Sequence, residues 1–124
     1  MKISDNSNIS IPEFDLGNLL KRMDNDYETV RKIISIFTDD VRKRIDVIRD
    51  AILRHDFSLI ASEAHTIKGS AATIGAESLR VSAEELERLA VKGCGSDVTS
   101  ACQILYRNYI QLIKVIEELY QDNL

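Results

Sequence analysis

Ala64-His65-Thr66-Ile67-Lys68-Gly69-Ser70-Ala71-Ala72-Thr73-Ile74-Gly75-Ala76 is the stretch on which the reading of the whole chain turns. Laid on a helix at about 100° per residue, Ile60, Ala64, Ile67, Ala71 and Ile74 gather into one apolar stripe. His65 falls roughly 140° from the centre of that stripe, on the side that faces water. Its neighbours there, three, four and seven positions away, are Ser58, Ala61, Ser62, Lys68, Gly69 and Ala72. A solvated helix face usually carries long charged side chains. Here all but Lys68 are small, so the histidine stands in a clearing.

Gly69 sharpens that reading, because glycine inside a helix costs about 1 kcal/mol against alanine. Off the apolar stripe, it marks a place where another surface comes close. Lys68 is one turn beyond His65 on the same side, and its ammonium reaches an anion carried by the ring. An exposed nucleophile, a nearby positive charge and a cleared landing area point to a surface for a second protein.

Working outward, the apolar spacing predicts further helices. Phe14, Leu16, Leu19, Leu20 and Met23 suggest a short one over about 13–23, opened by Pro12. Asp24-Asn25-Asp26 is a turn with a cap for the next helix, about 27–54, in which Val30, Ile34, Phe37, Val41, Ile45, Ile48 and Ile52 keep a helical period. Asp56 caps the helix of His65, about 57–74, and Gly75 ends it. A fourth spans about 77–91 with Leu79, Ala83, Leu86 and Ala90 inward. After Gly93-Cys94-Gly95, Ser96 or Asp97 caps a last helix with Val98, Cys102, Leu105, Tyr109, Leu112, Ile116 and Leu119 inward. The expected fold is all-α: an antiparallel up-and-down four-helix bundle with a short extra N-terminal helix. Residues 1–11, rich in Ser, Asn and Asp, read as a disordered leader or linker, and 12–124 as the bundle domain.

Composition removes several function classes. The formal charge of −4 argues against a nucleic-acid surface. Arg42-Lys43-Arg44, the longest basic cluster, reads as a solvated helix face. Cys94 and Cys102 form no CxxC pair and give little support to a zinc site; a reduced, cytoplasmic setting is expected. No apolar run is long enough to span a membrane, and the first residues do not form a signal peptide. His55, at the end of the long helix, suits the helix dipole. A metal-dependent enzyme fails on ligand count, since His55 and His65 cannot enter one site from one helix.

The segment resembles the histidine-containing phosphotransfer (HPt) family. The matching positions are His65, Ile67, Lys68, Gly69, Ser70, Ala71, Ile74, Gly75 and Ala76, and a weaker likeness in helix pattern extends over about 13–121. The resemblance implies that His65 is phosphorylated on a ring nitrogen. It would accept the phosphoryl group from a receiver-domain aspartate or a kinase and pass it to another receiver-domain aspartate. Some members carry a glutamine 22 residues after the histidine, near the phosphate; this chain has Glu87 there, and a carboxylate repels phosphate unless it turns away.

On this reading the chain is a phosphoryl carrier, not an enzyme, and holds no metal or cofactor of its own. Mg²⁺ and the acidic pocket belong to the partner. Lys68 stabilises phosphate charge and Gly69 gives clearance. Ser58, Ala61, Ser62, Ala72 and Glu87 contribute to docking, with Arg80 and Glu84 at the neighbouring edge. The partners are receiver domains of response regulators and hybrid sensor histidine kinases, met by a monomer. The alternative is a helical-bundle adaptor that binds a receiver domain or kinase without transferring phosphate.

Overall fold

The structure, a computed structural model, describes residues 14–123. The leader expected over 1–11 and the helix-opening role of Pro12 lie outside the described residues. Among the described residues five helices follow one another: α1 (Leu16–Arg22), α2 (Tyr27–Leu53), α3 (Phe57–Ile74), α4 (Glu77–Lys92) and α5 (Gly95–Asn123). Helix α2 packs on α3, α3 on α4, α4 on α5, and α5 returns to α2. That closed ring of neighbours, joined by very short loops, is the four-helix bundle, and α1 is the short addition to it.

Each apolar period becomes the inner face of its helix. Val30, Ile34, Phe37, Val41, Ile45 and Ile48 of α2 are buried, as are Ile60, Ala64, Ile67, Ala71 and Ile74 of α3. Leu79, Ala83, Leu86 and Ala90 face them from α4, and Val98, Cys102, Leu105, Tyr109, Leu112 and Ile116 from α5. Some inward positions lie outside the simple stripes, Ala101 of α5 among them. Ser82 is buried because its hydroxyl donates to the Leu79 carbonyl at 3.0 Å, and at the end of α2 Ala51 is buried while Ile52 is only partly so. The Tyr109 hydroxyl donates to the Thr38 carbonyl at 2.9 Å, tying α5 to α2 and satisfying the polar end of a buried ring.

The helix ends correct the sequence reading in two places. Helix α1 begins at Leu16, because the Asp15 carboxylate accepts from the Asn18 amide at 2.9 Å and so acts as the cap. Helix α5 begins at Gly95, ahead of Ser96 and Asp97; the Val98 amide already donates to the Cys94 carbonyl at 2.8 Å, which leaves Asp97 as a first-turn acid. The other ends behave as read. Asp26 and Asp56 cap α2 and α3 through the Thr29 and Leu59 amides.

Four helices close in the same way, α1 among them, where the Asn25 amide reaches the Leu20 carbonyl at 2.7 Å behind Asp24 at φ 54°. The Ala76 amide reaches the Ala71 carbonyl at 2.9 Å, Cys94 reaches Leu89 at 3.3 Å, and Asp56 reaches Ala51 at 2.9 Å. This is the six-to-one closure that needs one left-handed residue. Gly75 (φ 82°) and Gly93 (φ 73°) supply it for α3 and α4; for α2 it is His55, at φ 55°. Helix α1 is fastened to the far end of α3 by the Arg22 guanidinium, which donates to the Thr73 carbonyl at 2.8 Å. No helix among the described residues is long and apolar enough to cross a membrane.

Candidate functional site

The buried stripe of α3 turns the opposite face outward, and His65 stands on it with its side chain 66% exposed. Ser58, Ser62, Gly69 and Ala72 are exposed along the same helix, and Ala61 is half-buried. The expected clearing is therefore present. A Cβ built on Gly69 would meet nothing within 4 Å. Packing inside this chain does not ask for glycine there.

Glu87 is where the structure departs from expectation. Its carboxylate does not turn away. Oε2 lies 3.0 Å from His65 Nδ1 and Oε1 lies 2.8 Å from Lys68 Nζ, so one side chain of α4 joins both candidate residues of α3. A helix reading of α3 alone could not place it. The partner comes from the next helix, across the turn at Gly75. The Lys68 ammonium holds the Glu87 carboxyl below the usual carboxylate range, the His65 ring adds to this, and partial burial works against it.

An ionised carboxylate only accepts hydrogen bonds. In the neutral ring Nδ1 must then carry the proton, which leaves the lone pair on Nε2. Among the described residues Nε2 has no hydrogen-bond or ionic partner. The arrangement holds the ring by one nitrogen and presents the other to solvent.

The neighbouring edge is more structured than a solvated face. Arg80 pairs with Glu77 and Glu84 and not with the ring, while Arg88 pairs with Glu85. Lys68, Glu84, Glu87, Arg88, Val91 and Lys92 line one open groove beside His65. Arg88, Val91 and Lys92 were not singled out in the sequence, although they lie within about one helical turn of Glu84 and Glu87. Glu63 is turned from the site by Arg44, at 3.1 Å, which also holds Asp40 at 2.8 Å. Arg44 is thus an interhelix tie and not part of a free basic face. His55 lies at the bundle's end, beside Phe57. Cys94 and Cys102 are free thiols, and burial pushes the Cys102 thiol up. Among the described residues no group of three or more His, Cys, Asp or Glu side chains is placed to hold a metal.

A helical bundle with this face defines a class, and comparison with known proteins agrees. The Hpt domain family model matches residues 32–122, most of the chain, and the protein belongs to that family. Hpt domains are phosphocarriers of two-component signalling rather than enzymes, and they interact with receiver domains and histidine kinases. Among solved structures, the fold is similar to histidine-containing phosphotransfer protein B from Pseudomonas aeruginosa PAO1. That likeness has TM-score 0.80 and 22% identity and covers 93% of this chain and 100% of the other. It is also similar to a rice protein designated a histidine-containing phosphotransfer protein (TM-score 0.79, 17% identity, 88% of this chain and 80% of the other). A search of curated proteins gave no match.

Proposed function

We propose that the protein is a phosphorelay intermediate with His65 as its phosphoacceptor. It takes a phosphoryl group from a receiver-domain aspartate or a kinase and gives it to another receiver-domain aspartate. The observation that carries this reading is the division of labour on the ring: Nδ1 is engaged by Glu87, while Nε2 is open to solvent above small side chains. The lone pair of Nε2 attacks phosphorus, and the electron pair of the broken P–O bond leaves with the aspartate.

Phosphoryl transfer depends mostly on positioning and charge stabilisation. A rigid helix fixed by five buried residues supplies the first. Lys68 supplies the second, because a flexible ammonium follows the phosphate between states. Gly69 keeps the approach clear, and Ser58, Ala61, Ser62 and Ala72 form the floor on which a partner settles. The receiver domain brings the Mg²⁺ and the acidic pocket. A monomer acting in the cytoplasm suits this role.

The test is incubation with a phosphorylated receiver domain or its kinase. His65 is expected to take an acid-labile, base-stable label that His65→Gln abolishes. A label that survives that substitution ends the reading. Tight partner binding with no label in the wild type favours an adaptor.

A further inference from the structure

We infer that Glu87 keeps the proton on His65 Nδ1 after phosphorylation as well as before it, and so holds the phosphohistidine in its more reactive, proton-bound form. The inference rests on the reading of His65 as phosphoacceptor. It concerns how readily the group is passed on.

When Nε2 attacks an aspartyl phosphate, an N–P bond forms, a P–O bond breaks, and the electron pair departs with the aspartate. The ring then bears phosphorus on Nε2 and hydrogen on Nδ1, and is a cation. A cationic ring accepts the N–P electron pair more readily than a neutral one, so the protonated phosphohistidine is the stronger donor. In the onward step a receiver carboxylate attacks phosphorus, and the N–P pair returns to Nε2. No proton moves in either direction if Nδ1 keeps its own.

Glu87 is placed to make it do so. Its Oε2 is 3.0 Å from Nδ1, and a hydrogen bond between a cationic ring and a carboxylate is among the stronger kinds. Losing the proton would forfeit that bond and set a carboxylate against a lone pair. Lys68 is bound to the other oxygen, so it can swing to the phosphoryl group without releasing the ring. Most of the charged groups around the pair are already matched. On α4, Arg80 holds Glu84 and Arg88 holds Glu85, while Arg44 of α2 holds Glu63 of α3. Lys92 lines the same groove. A glutamine at position 87 would act in the opposite sense, since its amide can donate to a bare Nδ1 and favour the neutral ring.

The experiment needs no natural partner. The full chain carrying His55→Asn, so that His65 is the sole histidine, is phosphorylated with phosphoramidate and compared with the same chain carrying Glu87→Gln. Asparagine tolerates the left-handed backbone at position 55. The half-life of the label is followed from about pH 5 to pH 9, and the ¹⁵N shift of Nδ1 reports its proton. With Glu87 in place, the label is expected to decay about tenfold faster than in the Glu87→Gln chain near pH 8, and the two rates to converge in acid, where both rings are protonated. The Nδ1 shift should read protonated to higher pH when Glu87 is present. Equal half-lives and equal shifts at every pH overturn the inference and leave His65 as phosphoacceptor. Failure of His65 to take any label overturns both.

Discussion

Lys68 Nζ stands 2.8 Å from Glu87 Oε1, so the ammonium beside the exposed ring is docked on a carboxylate of the next helix. It is not a free cation awaiting phosphate. On the proposed function, charge stabilisation at this site would be an exchange of partners, from a carboxylate oxygen to a phosphoryl oxygen. The two positions sit on different helices, and their meeting is a product of the fold.

Lys68→Gln separates the lysine's two roles. The ion pair is partly exposed, so its loss should lower stability by less than about 1 kcal/mol. Transfer to a receiver domain should slow by roughly 10- to 100-fold if the ammonium contacts the phosphoryl group. Thermal melts and label-transfer kinetics on one preparation read both effects. Unchanged kinetics would count against a charge role.

Position 69 should show stability and function moving apart. Gly69→Ala meets no atom within 4 Å and should stabilise the helix by about 1 kcal/mol. Gly69→Gln should also fold, yet obstruct a partner's approach to His65 and slow transfer. A bulky side chain here that leaves the transfer rate intact would remove the case for a cleared approach.

Glu87 gives a prediction in acid. Its carboxyl is held below the usual range by Lys68 first and His65 second, so its contribution to stability is complete above the ordinary value of 4.5 and fades as pH falls through the lower folded value. The gap in denaturant midpoint between wild type and Glu87→Gln should be widest near neutrality and close below about pH 4. Asp26, Glu77 and Glu85 are also depressed but are present in both proteins, so they cancel. A gap that stays constant down to about pH 3 would refute the assignment.

His55 closes α2 in the left-handed conformation that Gly75 and Gly93 adopt elsewhere. A side chain in that region costs about 1–2 kcal/mol. His55→Gly should relieve much of this and raise the melting temperature, with transfer through His65 unaffected. A lower melting temperature would mean that the ring's neighbourhood with Phe57 outweighs the backbone cost.

Much of the molecule was legible because helices announce themselves locally. The apolar steps of α2, α3, α4 and α5 named most of the core, and Asp26, Asp56 and Gly75 marked their ends. The exposed His65 in its clearing followed from the same geometry. What escaped was whatever depends on two helices at once. The contact of Glu87 with His65 and Lys68 spans 22 and 19 positions, and no period within one helix encodes it. The starts of α1 and α5 differ for a local reason: the Asp15 carboxylate caps α1 at Leu16, and Gly95 enters the helix ahead of the better caps behind it.

The tight reversal at Gly75 works as a ruler. His65 lies ten residues before it and Glu87 twelve after, about 15 Å and 18 Å along two adjacent rods. Level pairing of carboxylate and imidazole is therefore written into arm length, not into either side chain. One residue inserted between 77 and 87 would swing the carboxylate by about 100° and carry it off the ring while leaving the histidine, the lysine and the clearing untouched. A substitution at position 87 leaves this spacing intact, whereas a change in the count between does not.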